Sequence, residues 1–374
     1  MTKNFKKIHF PNVDLKHWND WKWQLKNAVR TVDHLSEFLN LQSDEIERIS
    51  KVQTMYPFVI SPYYLSLINP KDNNDPVRKQ VVPDIKEIEI VSKNSDADPL
   101  AEREKMPVEG LIHRYPDRVV ILVTNNCAAN CRHCNRKRNW RKNETALNIR
   151  ESINYLKSNS EIREVILSGG DPLLLQTEKL KNLLDEIYSV DQIKVVRIGS
   201  RVPVTLPMRI TDELCEMLKR FPSIWLNTQF NHPNEITRES ETACRKIQYA
   251  GISISNQSVL LKGINDTHEI MRNLCQRLQE IKVRPYYLFQ CDRVTGTEHF
   301  WTPVKEGINI IEKMTGHTGG LCVPRFVIDL PGGEGKASFS PKNIIEHKNS
   351  IYKIKTYRGK IVNYEDVICS NQST

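Results

Sequence analysis

The strongest constraint on the fold is a rhythm that starts at residue 119. Short apolar runs of strand type alternate with helix-type segments: "VVILVT" (119–124), "EVILSGG" (164–170), "VVRIGS" (195–200), "SIWLNTQF" (223–230), "SISNQSVLL" (253–261) and "RPYYLFQCD" (284–292). Between them lie stretches with helical spacing, such as "TALNIRESINYLKS" and "DELCEMLKRF". Strands that read as nearly continuous apolar runs, each followed by a helix, imply a parallel sheet covered by its crossover helices. Six such units predict an α/β fold with an open, partial (β/α)6 barrel, and a doubly wound sheet is the alternative. In either case ligands bind at the C-terminal strand ends. The notable polar stretches fall there: a cysteine loop, "SGGDP", "GSR", "NHPNE" and "QCD". A seventh apolar run, "RFVIDLPGG" (325–333), opens a C-terminal segment. The expected organisation is a mostly helical N-terminal cover (1–110) with few chemical groups, the barrel (111–295) and the C-terminal segment (296–374).

The chain has 374 residues, enough for a barrel with additions. No apolar run approaches the 18 or so residues of a membrane span, and the N-terminus lacks the apolar core of a secretory signal. A cytoplasmic protein that does not bind membranes is expected. The formal net charge is +9, but the lysines and arginines are spread out with acids between them. No basic run interleaved with aromatics points to nucleic acid. A solvated basic surface is the expectation, with some arginines free to serve small anions.

Nine cysteines are present, three of them in "CAANCRHC" (127–134). The other six are scattered, and a disulfide framework is not expected in a chain of this kind. A zinc site usually takes four ligands, often from two CxxC pairs. Here no second pair follows, and His133, between Cys131 and Cys134, is poorly placed to reach the same ion. A [4Fe–4S] cluster normally takes one thiolate per iron, so Cys127, Cys131 and Cys134 would leave one iron open. C-x3-C-x2-C after the first barrel strand resembles the radical S-adenosylmethionine (SAM) enzymes. That resemblance implies that SAM chelates the open iron and is cleaved to a 5′-deoxyadenosyl radical. It also implies that Ser168, Gly169, Gly170 and Asp171 of "SGGDP" contact the methionyl group. Read from the residues alone, "SGGDP" is equally a tight turn with a helix N-cap at Asp171.

"DLPGGEGKASF" (329–339) sets Lys336 among Gly332, Gly333 and Gly335. It is not a P-loop, since no GxxxxGK[ST] occurs. A solvated loop lysine, a phosphate cradle and a lysine bound to a carbonyl cofactor all remain open on the residues alone. The wider pattern is similar to the lysine 2,3-aminomutase family, in "LIHRYPDRVVILVTNNCAANCRHCNRKR", "RIGSR", "NHPNEIT", "NQSVLLKGIND", "RPYYLFQCD", "GHTGG" and "PGGEGK". The resemblance implies pyridoxal phosphate as a second cofactor, bound to Lys336, with its phosphate near Arg114, Tyr115 and Arg118. Without it, those three residues read as a surface turn.

The resemblance also implies a substrate site, with Arg136 on the carboxylate and Asp292 and Asp329 on a distal cation. Two buried carboxylates need a cation between them, which favours lysine or arginine and disfavours glutamate. The expected activity is L-lysine 2,3-aminomutase: hydrogen is taken from C3, the amino group moves from C2 to C3, and β-lysine results. Arginine 2,3-aminomutase is the alternative. Relatives that supply β-lysine to elongation factor P, and a non-enzymatic metal-binding protein, are more distant ones. Thr267 stands where many bacterial lysine mutases carry a zinc cysteine, and the tail holds only Cys369, so no zinc is expected. A flavodoxin- or ferredoxin-type reductant and a homo-oligomer, most simply a dimer, complete the expectation.

Overall fold

The computed structural model describes residues 2–141, 149–348 and 351–366. Nine strands form one sheet: β1 (Leu111–Tyr115), β2 (Arg118–Thr124), β3 (Glu164–Gly169), β4 (Val195–Gly199), β5 (Ile224–Thr228), β6 (Ser253–Leu260), β7 (Arg284–Gln290), β8 (Arg325–Asp329) and β9 (Lys336–Phe339). Their spatial order is their chain order. β2 to β8 pair in parallel, while β1 is antiparallel to β2 and β9 antiparallel to β8. A doubly wound sheet would reverse its strand order at a switch point. This order never reverses, so the crossovers wind one way and the sheet curls as an open barrel with β1 and β9 at its edges.

Six helices bridge successive parallel strands: Ile149–Ser158, Thr177–Tyr188, Asp212–Leu218, Arg238–Tyr249, His268–Glu280 and Val304–Met314. Each buries an apolar stripe; Thr177–Tyr188 buries Leu180, Leu183, Leu184 and Ile187. Threonines start three of them. Thr211, Thr237 and Thr267 accept hydrogen bonds from the backbone N–H of Leu214, Ser240 and Ile270. The last of these accounts structurally for the threonine that ends "GINDT". Successive strand residues point to opposite faces. Val165, Leu167, Val196 and Ile198 are buried in the core, while Ile166 and Arg197 between them are only half-buried. Only one face of the sheet is fully covered, and the other is the open barrel interior.

The run at 325 is a seventh parallel strand of the same sheet. The C-terminal segment therefore contributes β8 and β9 to the barrel, then forms a separate three-stranded sheet of β10 (Ile344–Lys348), β11 (Ile351–Lys355) and β12 (Ile361–Glu365). The N-terminal cover is a series of mostly short helices, the longest Ser43–Met55. It is clasped to the loop after β2 through backbone bonds: Ser61 N to Ala128 O at 2.9 Å, Asn130 N to Val59 O at 2.9 Å and Arg132 N to Gln80 O at 2.8 Å. No helix among the described residues is long and apolar enough to cross a membrane. Cys369 lies outside the described residues.

Candidate active site

The loop after β2 carries Cys127, Cys131 and Cys134, all free thiols at half-buried positions. Burial, then the charges of Asp171 and the other two thiols, pushes Cys127 well above the usual thiol range. Burial and Cys131 push Cys134 up to about 11. Three thiols on one loop resist ionising together without a strong cation among them, and iron supplies one. Among the described residues no three His, Cys, Asp or Glu side chains are placed to share one metal ion. A cluster in which each thiolate takes its own iron does not need them to converge. His133 turns toward the loop after β5, its Nε2 lying 3.0 Å from Gln229 Nε2 and 3.3 Å from Asn231 Nδ2.

A buried ion network fixes this loop. Glu87 of the N-terminal cover accepts from Arg132 Nε at 2.8 Å and Nη2 at 2.6 Å, and from Lys137 Nζ at 2.6 Å. Lys137 also donates to the carbonyl of Gly296 at 2.7 Å. Burial works against the Glu87 charge, but Arg132 and Lys137 overcome it and hold its carboxyl below the usual range. Nearby, Glu102 takes Arg136 Nη2 at 2.7 Å and Arg138 Nη2 at 2.7 Å. The cover was expected to hold few chemical groups; Glu87 and Glu102 correct that.

The end of β3 packs directly on the same loop. A Cβ on Gly169, at φ +119°, would stand 2.4 Å from the Thr124 carbonyl oxygen, and one on Gly170 would stand 2.4 Å from that of Asn126. Both glycines are required by backbone contact alone. Asp171 caps the turn that follows, accepting from Leu173 N at 3.1 Å. It also accepts from Ser200 Oγ at 2.6 Å and Arg201 N at 2.8 Å, with burial raising its pKa to about 6. Its carboxylate therefore serves the loop after β4. Ser168 faces the cysteine loop, accepting from Arg136 Nη1 at 2.9 Å.

Lys336 starts β9, beside the cysteine loop's end of the barrel and opposite Asp329 of β8. Its Nζ lies 2.9 Å from Asp329 Oδ1, and Arg114 Nη1 is 3.6 Å from the same oxygen. Three glycines let the preceding loop turn this tightly: Gly332, Gly333 and Gly335 have φ of +71°, +75° and +92°. A Cβ on Gly335 would touch Tyr115 Oη at 3.3 Å, and one on Gly333 would stand 2.8 Å from the Leu100 carbonyl oxygen and 3.5 Å from Arg114 Nε. Arg114 Nε and Tyr115 Oη are buried with no hydrogen-bond partner. Buried polar atoms are rarely left so. Arg118 stacks its guanidinium 3.8 Å above the Tyr115 ring. Two orphaned donors and a stacked arginine beside a half-exposed lysine fit a phosphate-bearing carbonyl cofactor.

Asp292, just past β7, joins this group. Burial first, then the Asp329 charge, raises its pKa to about 7, with Lys336 and Arg114 pulling the other way. Arg136 also feels the Asp292 charge. The fold thus gathers Arg114, Arg136, Ser168, Asp292, Asp329 and Lys336 at one end of the barrel.

The sequence pattern of the radical SAM superfamily matches residues 121–275, and that of lysine-2,3-aminomutase matches residues 311–372. The L-lysine 2,3-aminomutase of Acetoanaerobium sticklandii is 46% identical, over 96% of this chain and 87% of its own. That of Methanococcus maripaludis is 47% identical over 97% of this chain and 85% of its own. The chain belongs to the lysine 2,3-aminomutase family. The glutamate 2,3-aminomutase of Clostridioides difficile is 42% identical over 93% of this chain and 83% of its own. Overall likeness therefore does not choose the substrate. Lysine 2,3-aminomutase family members are radical SAM isomerases, and the radical SAM superfamily brings a [4Fe–4S] cluster and SAM. The sequence reading missed Glu87, Glu102, Arg201 and Glu235; "GSR" and "NHPNE" marked two of them as polar strand-end residues, with no role attached.

Proposed function

We propose that this chain is an L-lysine 2,3-aminomutase that converts L-α-lysine to β-lysine. The observation that carries the choice of substrate is the carboxylate pair. Asp292 is held near neutrality by burial and by Asp329, so an added cation is stabilised there and an added carboxylate is repelled. A primary ammonium already suits the spot: the Lys336 Nζ sits 2.9 Å from Asp329. Lysine presents such a group at its far end; glutamate presents a third negative charge.

In this reading Cys127, Cys131 and Cys134 hold the [4Fe–4S] cluster. Ser168, Gly169 and Gly170 border SAM, and Asp171 acts from behind by bracing the loop after β4. Arg114, Tyr115 and Arg118 receive the phosphate of pyridoxal phosphate, whose carbonyl Lys336 engages. When bound, these groups supply a hydrogen-abstracting radical and an electrophilic carbon for the migrating amino group. The protein's own part is orientation. Arg136, held by Glu102, aims a guanidinium at the substrate carboxylate, and Asp292 and Asp329 fix the other end. A substrate clamped at both ends keeps its C3 hydrogen in one place while the barrel interior excludes water.

The exposed apolar residues of the C-terminal sheet, among them Ile344, Ile351, Ile361 and Tyr364, support a homo-oligomer. A flavodoxin or ferredoxin in the cytoplasm suits the electron that the cluster needs. The test is an anaerobic assay of reconstituted protein with SAM, pyridoxal phosphate and dithionite. Lysine, arginine and glutamate are supplied together and β-amino products are read by mass spectrometry. β-Lysine alone is expected. β-Arginine would keep the reaction and overturn the substrate; deoxyadenosine with no β-amino acid would overturn both.

A further inference from the structure

Arg201, buried in the loop after β4, has no task in the reaction as described. Its Nη1 lies 2.7 Å from Cys131 Sγ. Its Nη2 donates to Glu235 Oε1 at 2.6 Å, Gln80 Oε1 at 2.5 Å and Tyr64 Oη at 3.1 Å, and its Nε to the Gln229 carbonyl at 3.0 Å. Glu235 is fully buried and is itself fixed: Tyr64 Oη donates to its Oε1 at 2.6 Å, and the N–H groups of Asn231 and His232 donate to its Oε2 at 2.6 and 2.8 Å. Gln80, on the N-terminal cover, also takes the Arg132 N–H through its carbonyl at 2.8 Å. Nε and Nη2 are both engaged by buried partners, so Nη1 is held facing the Cys131 sulfur.

We propose that Arg201 is a positioning residue that raises the reduction potential of the iron–sulfur cluster through Cys131, with Glu235 moderating the charge that reaches the sulfur. The proposal rests on the reading of Cys127, Cys131 and Cys134 as cluster ligands. Reduction adds negative charge to the cluster. A fixed cation that donates N–H to a ligand sulfur withdraws electron density and stabilises the reduced form over the oxidised one. Cys131 has this donor from a side chain. The other sulfur with a recorded donor, Cys134, has only the Arg136 backbone N–H at 3.3 Å. The cysteine sulfurs therefore differ in their surroundings, and a cluster that they held would meet its closest cation at Cys131. Glu235 opposes that cation's field from the far side of the same guanidinium.

The test uses reconstituted full-length protein without SAM, titrated electrochemically and followed by electron paramagnetic resonance, with iron and sulfide counted per chain. Arg201→Gln is expected to lower the reduced-to-oxidised ratio at a fixed potential about tenfold, or ~59 mV for one electron. Arg201→Lys, which keeps the charge and loses the fork, shifts it less in the same direction. Glu235→Gln is expected to shift it the opposite way. Opposed shifts at full iron content support the proposal, since a merely structural contact would not move the two substitutions in opposite senses. Full iron content with an unchanged potential in Arg201→Gln overturns it, as do shifts of one sign in both Gln variants. If Arg201→Gln loses its iron, Arg201→Lys and Glu235→Gln decide the sign. Wild-type protein that binds no iron would instead overturn the cluster reading itself.

Discussion

The cysteine loop and the lysine loop lie at the same end of the barrel, yet they are held in opposite ways. Around the cysteines nearly every charge has its partner within the chain: Arg132 and Lys137 on Glu87, Arg136 and Arg138 on Glu102, Arg201 on Glu235. Around Lys336 the backbone is tied by glycine turns, while polar atoms of Arg114 and Tyr115 stay unpaired in the interior. The first region has its charges paired and carries its organisation in side chains, although His133 Nδ1 and Arg138 Nε are buried there without a partner. The second is unfinished without a ligand. A cluster has to be held still while radicals form beside it. A cofactor bound through a lysine has to let its lysine come and go, and Lys336 is held by an ion pair to Asp329 at a partly exposed position.

The largest break in this contrast is expected from Lys336→Ala. It removes the lysine proposed to carry the cofactor and leaves the cysteine-loop region alone. Aminomutase activity should fall to background, and the pyridoxal absorbance that borohydride fixes to the chain should vanish. Iron content should stay at the wild-type level. Retained borohydride labelling would show that another lysine carries the cofactor.

Next in size is Glu87→Gln, which strikes the cysteine-loop region. It leaves Arg132 and Lys137 as buried charges without a full counter-charge, and breaking such a pair costs about 3–5 kcal/mol. Lys137 already has its pKa lowered to about 8, by burial against the pull of Glu87. Without Glu87 it falls further and the lysine sheds its proton near neutrality. Chemical denaturation should give the stability loss, and pyridoxal binding should survive in whatever fraction stays folded. A loss below about 1 kcal/mol would mean that the network is not the brace described here.

How much of this was legible in the sequence follows the same divide. Parallel strands announce themselves as apolar runs: six of the seven were placed within two residues of their ends, and the seventh, read as 325–333, stops at Asp329, ahead of the glycine turn. Cys127, Cys131, Cys134 and Lys336 lie in local patterns whose spacing is itself the signal. Glu87, Glu102 and Glu235 are single acids in polar stretches. Their meaning comes from partners brought near by the fold: Tyr64 meets Glu235 across 171 positions and Arg201 meets Cys131 across 70. No local pattern encodes such a meeting. "SGGDP" shows the intermediate case. The turn and the cap at Asp171 were readable, but the close approach to Thr124 and Asn126 that requires its glycines was not.

A smaller effect should appear with pH. The Asp292 carboxyl has its pKa raised to about 7, against 3.8 for an ordinary aspartate. Its native pKa is the raised one, so the folded protein keeps the proton that the unfolded chain has lost. This group's contribution to stability therefore declines as pH climbs from about 4 through 7. A substrate ammonium needs the ionised form. kcat/KM for lysine should thus fall up to about tenfold per unit as pH drops below 7. Asp292→Asn should give a lower value that no longer follows this group. An unchanged profile in that variant would assign the titration elsewhere.

The smallest effect separates backbone strain from site geometry. Gly335 and Gly359 both need positive φ, +92° and +78°. A Cβ on Gly359 meets open space, whereas one on Gly335 comes 3.3 Å from Tyr115 Oη. Alanine at either position carries the left-handed backbone penalty of about 1–2 kcal/mol. Only Gly335→Ala also pushes on a hydroxyl proposed to meet the cofactor phosphate. Both variants should lose similar stability, and Gly335→Ala alone should weaken pyridoxal phosphate binding, a difference that equilibrium titration of the absorbance resolves. Equal binding by the two would mean that the glycine loop shapes the turn and leaves the phosphate contacts untouched. The unfinished character of that region would then lie in Arg114 and Tyr115 alone.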